Sequence, residues 1–386
     1  MTYYFVEPLD VLMIRGNKSF GGVGQHGESV MPPWPSLFAG AFRSALLGTD
    51  AAQLARFANG EKLSGALGDV LGTPAQPGSF AINYLSLASL PPPSRTASNE
   101  SIALAFPLPA DLAALADVRA PLQLHPARLP ASATANELPL IALPRVIKQT
   151  KPEAGRWLDV AGFNAHLAGI PPSSTLETAD FFKRETRLGI ALDAGSRTAE
   201  DGALYTTEAI AFNTGAGFLV GIDGEAGLLP SSGFLRLGGD GKGAAYRRVE
   251  FSPPAAPLTV IAKSCRFRMI LATPGIFAAG WLPDGIARQG MRDYRLQGEG
   301  FSARLACAAV PRFDTLSGWD LARQQPKTAQ RVAPAGSVYW FDELEGDAGK
   351  LAEWMDSGLW TENGDAQRRA EGFNRAWLAA WPMISG

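Results

Sequence analysis

The chain has 386 residues, a formal net charge of −2 at pH 7 and a hydrophobic fraction of 46%. This length exceeds the usual size of one hydrophobic core, so we expect two domains. The near-neutral charge excludes a basic field over the whole surface, so any contact with nucleic acid must come from local clusters. Two cysteines are too few for a disulfide framework, which favours the cytoplasm, and no apolar run is long enough to span a membrane.

The first element is predicted to be a buried strand over residues 3–14, because β-branched and aromatic residues dominate it. A glycine-rich loop and the sequence Pro-Pro-Trp-Pro at 32–35 follow. Ser36 is then the expected N-cap of a helix whose apolar stripe ends at Gly48. The same stripe places Arg43 off the buried face.

The remaining pattern predicts strands at 80–87, 188–192, 204–212, 218–222, 258–271, 301–310 and 337–341, and helices at 349–356 and 366–377. In the strand at 258–271, Cys265, Phe267, Met269 and Leu271 are expected on one face, with Arg266 and Arg268 on the other. Residues 90–180, rich in proline, alanine and serine, are interpreted as a large insertion, and the proline-rich stretch 252–257 as the domain linker.

Each half therefore combines strands and helices in a way that is typical of an α+β fold. We predict two ferredoxin-like (RNA-recognition-type) domains in tandem, one over residues 1–251 with the insertion at about 90–180, and one over residues 258–386.

The segment 234–243 ends a short apolar strand in a glycine loop. Glycines let backbone N–H groups approach an anion, so the loop predicts a binding site for phosphate or sugar. The residues expected to contribute are Arg236, Gly238, Gly239, Lys242, Arg247 and Arg248. The spacing matches neither a nucleotide-hydrolase phosphate loop nor a dinucleotide fingerprint. A flexible surface hairpin is the alternative interpretation.

The loop after the first strand carries Arg15, Lys18 and Phe20, and Trp34 precedes the first helix. Single-stranded RNA exposes base faces to aromatic and arginine side chains, and a helix N-terminus at Ser36 suits a phosphate. The alternative is that Phe20 and Trp34 pack inside the domain.

Several motifs together resemble a known family. They are PLDVLMIR at 8–15, KSF at 18–20, PPWPSLFAGAFR at 32–43, ETRLGIALD at 185–193 with RTAEDGALYT at 197–206, the glycine loop, SGWD at 317–320 and PAGSVY at 334–339. In this order they resemble the family of the third subunit of the Cmr complex, the type III-B CRISPR effector.

The resemblance implies a member of the RAMP superfamily with two ferredoxin-like domains. Such a subunit binds the 5′ handle of the guide RNA and docks the large polymerase-like subunit and the backbone-forming RAMP subunit. It is not the nuclease and needs no cofactor. The RNA-binding residues that we expect are Arg15, Lys18, Phe20, His26, Trp34, Ser36, Arg43, Arg187, Arg197, Arg236, Gly238, Gly239, Lys242, Arg247 and Arg248.

Two other functions stay open from the sequence. His26 could act as the general base of a metal-independent endoribonuclease that processes guide RNA, with Lys18 as its local partner. A protein-only scaffold subunit is the other alternative. We expect no catalytic residue and no metal site, because His125 and His166 lack a carboxylate at ligand spacing.

Overall fold

The computed structural model describes residues 1–14, 16, 26–48, 50–90, 102–116, 118–128, 137–144, 151–193, 195–320, 325–362 and 364–382. At residues 26, 200–203, 319 and 320 the description is of the backbone alone. Over these ranges the chain is a mixed α+β protein whose sheets are mostly antiparallel, which confirms the predicted class. The arrangement as two ferredoxin-like domains, with boundaries at 251 and 258, stays a prediction.

The strands are β1 (Thr2–Pro8), β2 (His26–Gly27), β3 (Ala81–Ser89), β4 (Ala103–Pro107), β5 (Leu112–Leu115), β6 (Val118–Ala127), β7 (Ile141–Pro144), β8 (Arg156–Leu158), β9 (Leu176–Glu177), β10 (Phe182–Leu192), β11 (Ala199–Phe212), β12 (Ala216–Asp223), β13 (Ser232–Arg236), β14 (Gly243–Val249), β15 (Phe267–Leu271), β16 (Ile286–Gly290), β17 (Asp293–Gly298), β18 (Phe301–Ala309), β19 (Asp314–Leu316), β20 (Trp319–Asp320), β21 (Gln325–Pro326), β22 (Gln330–Val332), β23 (Val338–Gly346) and β24 (Ala376–Ala380).

The helices are α1 (Pro35–Leu47), α2 (Ala51–Ala58), α3 (Gly65–Leu71), α4 (Val160–Leu167), α5 (Leu258–Ser264), α6 (Ala348–Asp356) and α7 (Ala366–Ala370), with a 3₁₀ turn at Thr178–Asp180. Within the described ranges, no helix is long and apolar enough to cross a membrane.

The chain divides into two compact units. Unit 1 comprises Met1–Ile102, Thr178–Glu250 and Thr315–Gln330, and unit 2 comprises Ala103–Glu177, Phe251–Asp314 and Arg331–Gly386. The change from unit 1 to unit 2 after Glu250 lies close to the proline-rich linker. The segment that the sequence assigns to an insertion in the first domain belongs, from Ala103 to Glu177, to unit 2.

Unit 1 is built around β1, which lies in the middle of an antiparallel sheet with the order β13-β14-β1-β12-β3. Helix α1 packs on one face of this sheet. Phe38 contacts Phe218 and Phe42 contacts Tyr4, with ring centroids 4.9 Å and 5.5 Å apart. These buried aromatic pairs attach the helix to the sheet.

A long two-stranded hairpin also belongs to unit 1. Strands β10 and β11 pair antiparallel over most of their length, and β2 pairs parallel with β11 at Thr206 and Thr207. The hairpin joins the rest of unit 1 near its base, where Leu12 pairs with Ile210.

Unit 2 contains an antiparallel sheet with the order β16-β17-β18-β23-β15-β24. Its core includes the stacked rings of Phe267 and Phe341, whose centroids are 4.7 Å apart. Helix α6 buries Leu351 and Met355 in the same core. The predicted helix at 349–356 is thus confirmed.

Two predicted elements near the N-terminus differ from the structure. The first strand ends at Pro8 rather than at residue 14, and Leu9 is exposed. Trp34, not Ser36, is the N-cap of α1, because Pro35 occupies the first turn, where its missing N–H costs nothing. Helix α1 ends, as predicted, at Gly48, which has a φ of 69°.

The predicted strand at 258–271 was wrong over its first half. Residues 258–264 form α5, and Cys265 takes the left-handed conformation at the end of this helix, where it is exposed. The strand begins only at Phe267, and Arg268, predicted on the face opposite to Phe267 and Met269, is completely buried. The helix predicted at 366–377 likewise ends at Ala370, and Trp377 lies in β24 beside β15.

The burial of the Arg268 charge is explained by a cluster of charged and polar side chains inside unit 2. Its guanidinium donates to Asp111 through Nη1 and to the carbonyl of Ala380 through Nε, the latter at 2.8 Å. His166 Nε2 lies 3.1 Å from Asp111 Oδ1, and Gln123 donates to Asp111 Oδ2 at 3.1 Å. The cluster joins the segment 103–177 to β15, which accounts for the membership of this segment in unit 2.

We predict that Arg268→Met destabilises unit 2 by about 3–5 kcal/mol, because it leaves the Asp111 carboxylate buried without its cation. The control is Arg56→Met, which removes an exposed ion pair with Glu61 and should cost about 0–1 kcal/mol. Urea unfolding monitored by circular dichroism measures both. Equal midpoints for the two variants would contradict the structural role of the cluster.

We predict that His166 makes the protein less stable in mild acid. Burial, followed by the Arg268 charge, lowers the pKa of His166 below its ordinary 6.5, although Asp111 opposes the shift. As the pH falls through 6.5, the unfolded chain gains a proton that the folded chain does not, so the free energy of unfolding decreases by at most about 1.4 kcal/mol per pH unit.

Urea midpoints at pH 7.5 and 5.5 test this prediction. His166→Asn should remove part of the pH dependence. The pKa of Asp111 is also lowered, despite its burial, by His166 and Arg268, so its contribution to stability is lost only in stronger acid. An unaltered pH dependence in His166→Asn would show that His166 does not titrate as inferred.

Candidate nucleic-acid interface

The hairpin formed by β13 and β14 places three candidate side chains on one face of the unit 1 sheet. Ser232 pairs with Arg247, Phe234 with Ala245 and Arg236 with Gly243. Paired residues of an antiparallel ladder project to the same side, and so do alternate residues of one strand. Phe234, Arg236 and Arg247 therefore share a face, which we call the hairpin face.

The hairpin face is opposite to the face that α1 covers. Tyr246 alternates with Arg247 along β14, and its ring contacts Phe42 of α1 with centroids 5.6 Å apart. Phe234 is 75% exposed, and Arg236 and Arg247 are also exposed. A large aromatic ring and two guanidinium groups are thus accessible together.

Arg247 is further positioned by the ring beneath it. It pairs with Phe5 of β1, and its guanidinium carbon lies 6.0 Å from the centroid of the Phe5 ring. This distance is at the outer limit for a cation–π contact. Because Phe5 is buried, the contact holds the base of the arginine while its charge stays accessible to solvent.

The glycine loop between the strands packs tightly on the chain after β1. Gly238 and Gly241 have positive φ angles of 80° and 65°, which favour glycine. The N–H of Gly239 donates to the carbonyl oxygen of Met13 at 2.8 Å. A Cβ at Gly238 would lie 2.9 Å from that same oxygen. The glycines therefore have a packing role, and the Gly239 N–H is not available to an anion.

Lys242 of this loop has a carboxylate partner. Its Nζ donates to Oδ2 of Asp10, and this hydrogen bond is the main cause of the lowered pKa of Asp10. The charge of Arg187 lowers the same pKa, so Arg187 lies near the loop, and it also bridges to Glu185 at 3.3 Å. Lys242 and Arg187 therefore both lie near Asp10, and carboxylates partly neutralise their charges.

The segment predicted to carry Arg15, Lys18 and Phe20 begins after Ile14 and ends before His26. Those three residues lie outside the described residues. The carbonyl of Ile14 accepts the N–H of Val30 at 2.9 Å, and the backbone of His26 pairs with Thr206. Both ends of the loop are thus anchored in unit 1 near β11, while the side chain of His26 is outside the description.

The candidates on α1 lie on the other side of the sheet. Trp34 and Ser36 are half-buried at the start of the helix. Arg43 is not off the buried face as predicted: its Nε and Nη2 atoms are inaccessible, and its guanidinium carbon lies 5.3 Å from the centroid of the buried Phe80 ring. The apolar stripe of α1 could not predict this, because Phe80, which contacts Arg43, lies outside the helix.

Arg197 and Arg248 are not part of the hairpin face as defined by its three residues. Arg197 is exposed in the turn between β10 and β11, with a φ of 58°. Arg248 alternates with Arg247 and projects towards the α1 side, where its charge partly offsets the rise in the pKa of Tyr4. That pKa is raised chiefly by burial and by the hydrogen bond from Tyr4 to Glu225.

Phe234 is a candidate that was not among the RNA-binding residues expected from the sequence. The sequence placed it only in a short apolar strand before the glycine loop. Alternation along Gly233, Phe234, Leu235 and Arg236 was the available signal, because it places Phe234 on the same side as the charged Arg236. Within the described ranges, no group of three or more His, Cys, Asp and Glu residues could hold a metal ion.

Comparison with known proteins identifies the family to which the chain belongs. A profile described as "CRISPR-associated protein (Cas_Cmr3)" matches residues 4–381. No curated protein sequence matches significantly. One similar solved structure is the "Cryo-EM structure of the Type III-B Cmr-beta bound to cognate target RNA", with 13% identity, a TM-score of 0.46, and coverage of 88% of this chain and 86% of that chain.

A second is the "Cryo-EM structure of the Type III-B Cmr-beta bound to cognate target RNA and AMPPnP, state 1", with 14% identity, a TM-score of 0.43 and the same coverage of 88% and 86%. The family match runs over nearly the whole length and confirms the resemblance seen in the motifs. The chain belongs to the Cas_Cmr3 family of CRISPR-associated proteins.

Proposed function

We propose that this protein is a non-catalytic subunit of a type III-B CRISPR RNA-guided complex, and that it binds the 5′ handle of the guide RNA. The observation that carries the proposal is the hairpin face, on which Phe234, Arg236 and Arg247 are exposed together. Family membership supplies the context of the RNA-guided complex.

The chemistry of the hairpin face suits single-stranded RNA better than a protein partner. An exposed phenylalanine stacks on an unpaired base, and neighbouring arginines neutralise phosphates. Arg236 has no carboxylate partner among the residues that the structure describes. Its full charge is therefore available to a phosphate.

The strand order supports the proposed pair of ferredoxin-like domains. In that fold the third strand lies between the first and the second, and the fourth pairs with the free edge of the first. Unit 1 has the order β14-β1-β12-β3, in which β1, β3, β12 and β14 are the first to fourth strands of the pattern. Unit 2 has the order β24-β15-β23-β18, in which β15, β18, β23 and β24 take the same places. Each unit departs from the full pattern. Unit 1 has β13 in place of the second helix, and unit 2 has β16 and β17 in place of the first.

Docking of the large polymerase-like subunit and of the backbone-forming RAMP subunit is also part of the proposal. It rests on family membership, so reconstitution of the complex tests it directly. The non-catalytic assignment is tested by incubating the protein with a guide precursor. Cleavage that disappears in His26→Ala would replace our proposal by the endoribonuclease alternative.

We predict that Phe234→Leu and Arg236→Gln weaken binding of a handle RNA in distinguishable ways. Loss of stacking costs about 1–3 kcal/mol per base without changing the salt dependence, since no charge is removed. Loss of one phosphate contact lowers the slope of log K against log salt by about 0.7 for a single strand. Fluorescence anisotropy with labelled handle RNA at several salt concentrations measures both quantities.

The control for these variants is Arg56→Gln. Arg56 is an exposed arginine of unit 1 that is paired with Glu61 on α2. The Arg56→Gln variant should keep the RNA affinity and the salt slope of the parent protein. If all three variants bound alike, the hairpin face would not be an RNA-binding surface and the scaffold alternative would be favoured.

We predict that Asp10→Asn strengthens RNA binding, because it releases Lys242 from its ion pair. The salt slope should steepen by about 0.7 if Lys242 then contacts a phosphate. Asp69→Asn is the matched control, since it releases Lys62 from an exposed pair of 2.9 Å elsewhere in unit 1. An equal gain in both variants would reveal only a general charge effect, and no gain in Asp10→Asn would assign Lys242 to loop packing.

A further inference from the structure

A cavity of about 580 Å³ lies within unit 2. Its volume falls in the range of about 300–1,000 Å³ that is typical of small-molecule sites. Small apolar residues form part of its lining, including Ala279, Ala308 and Ala333. The larger lining side chains are aromatic or charged, and they determine what the cavity can bind.

One wall of the cavity is already arranged for stacking. Phe313 is 46% exposed, and the guanidinium carbon of Arg331 lies 4.7 Å from the centroid of its ring. Arg331 has no carboxylate partner within the described part of the chain. The flat guanidinium and the phenyl ring therefore offer π-faces and a positive charge to a planar ligand.

Trp281 supplies a second aromatic group to the lining. Its ring meets Tyr294 edge to face, with centroids 6.4 Å apart. The carbonyl oxygen of Trp281 accepts a hydrogen bond from buried Tyr339, which fixes the backbone at this point. The backbone that carries the indole is thus held by Tyr339, and the indole itself contacts Tyr294.

A carboxylate completes the lining. Glu137 is exposed, and Tyr294 donates its hydroxyl hydrogen to Glu137 Oε2 at 3.3 Å. This contact leaves Oε1 available. An ionised carboxylate only accepts hydrogen bonds, so it selects a ring edge that presents donors. Guanine has two adjacent donors on its Watson–Crick edge, at N1 and N2, whereas adenine presents one exocyclic amino group there.

We propose that this cavity binds a guanine ring, with Phe313 and Arg331 stacking on the base and Glu137 accepting hydrogen bonds from its Watson–Crick edge. The ring can belong to a free guanine nucleotide or to an unstacked guanosine of an RNA strand. The proposal goes beyond RNA binding by the hairpin face and does not depend on it, because all lining residues lie in unit 2.

The first experiment measures binding of fluorescently labelled GMP to the purified full-length protein by anisotropy. Unlabelled GMP, AMP and ribose 5-phosphate serve as competitors. We expect GMP to compete at least 10-fold better than AMP and ribose 5-phosphate. Glu137→Gln and Phe313→Leu should each weaken GMP binding at least 10-fold. Both side chains are exposed, so neither change should prevent folding.

Matched controls separate this site from the hairpin face. Glu299→Gln changes an exposed glutamate outside the cavity, and Phe234→Leu changes the exposed phenylalanine of unit 1. Both variants should bind GMP like the parent protein, while only Phe234→Leu should weaken binding of the handle RNA. Failure of the guanine site and failure of the hairpin face would therefore give different results.

A second arm identifies the source of the ring. RNA that carries 6-thioguanosine is crosslinked by light, and the attached peptides are mapped by mass spectrometry. Crosslinks to the peptide that begins at Phe313, lost in Glu137→Gln, together with no binding of GMP, would assign the site to an RNA strand. GMP binding without these crosslinks would assign it to a free nucleotide.

The remaining outcomes overturn the proposal. Equal competition by GMP and AMP, or unchanged binding in Glu137→Gln, would contradict selection of guanine by the carboxylate. Absence of both GMP binding and crosslinks would show that the cavity binds no guanine. A control variant as defective as Phe313→Leu would show that the effect is not local to the cavity.

Discussion

The register between β1 and β14 is the constraint on which the candidate interface depends. It pairs Phe5 with Arg247 and Tyr4 with Arg248, so adjacent arginines project to opposite faces of the sheet. A slip by one residue would exchange the faces of every side chain on β14. The buried Tyr246, held by Phe42 of α1, opposes such a slip because its ring would lose that contact. An apolar interaction on one face thus determines which charges are accessible on the other.

Charge pairing explains how a protein with net charge −2 can still present a basic surface. Many of its arginines are engaged by carboxylates, for example Arg304 with Asp342 at 2.9 Å and Arg156 with Glu153 at 2.7 Å. Such pairs contribute little to stability at an exposed position, but they cancel the local field. Arg236 is different, since no described carboxylate accompanies it. The composition of the whole chain therefore says less about RNA binding than the local pairing does.

The sequence was sufficient where apolar residues mark an element by themselves. Helix α1 and strands β3 and β18 lie close to their predicted positions because they carry recurring buried apolar residues, and β12 does so because it is apolar and buried on both faces. It failed where a distant partner decides the environment. Arg268 looks like a solvent-facing residue on an alternating strand, and only the folded chain brings Asp111 to it from 157 positions away. A pattern read along one strand cannot contain that information.

The candidate site was predictable to a similar degree. Motifs and charge located the hairpin of β13 and β14, but they could not divide its side chains between two faces, since this depends on pairing with β1. The glycine loop shows the same limit. Its glycines were interpreted as room for a phosphate or sugar beside backbone N–H groups, whereas in the structure the carbonyl of Met13 approaches Gly238 and Gly239. The pattern indicated that space is needed at the glycines, but it could not identify a neighbour that lies far away in the sequence.

Phe234 and Phe313 are the exposed phenylalanines of the described chain, and each lies near an arginine without a carboxylate partner. Burial of a phenyl ring is worth about 1.5–3 kcal/mol, so an exposed ring forgoes stabilisation that a partner can restore. The two settings differ in preorganisation. Arg331 already stacks on Phe313 beside a cavity, which suits capture of one planar ring. Arg236 only shares an exposed face of the β13–β14 hairpin with Phe234, and this surface suits an extended strand. The same pair of residue types thus underlies two different proposed modes of recognition, and the difference lies in the surrounding fold.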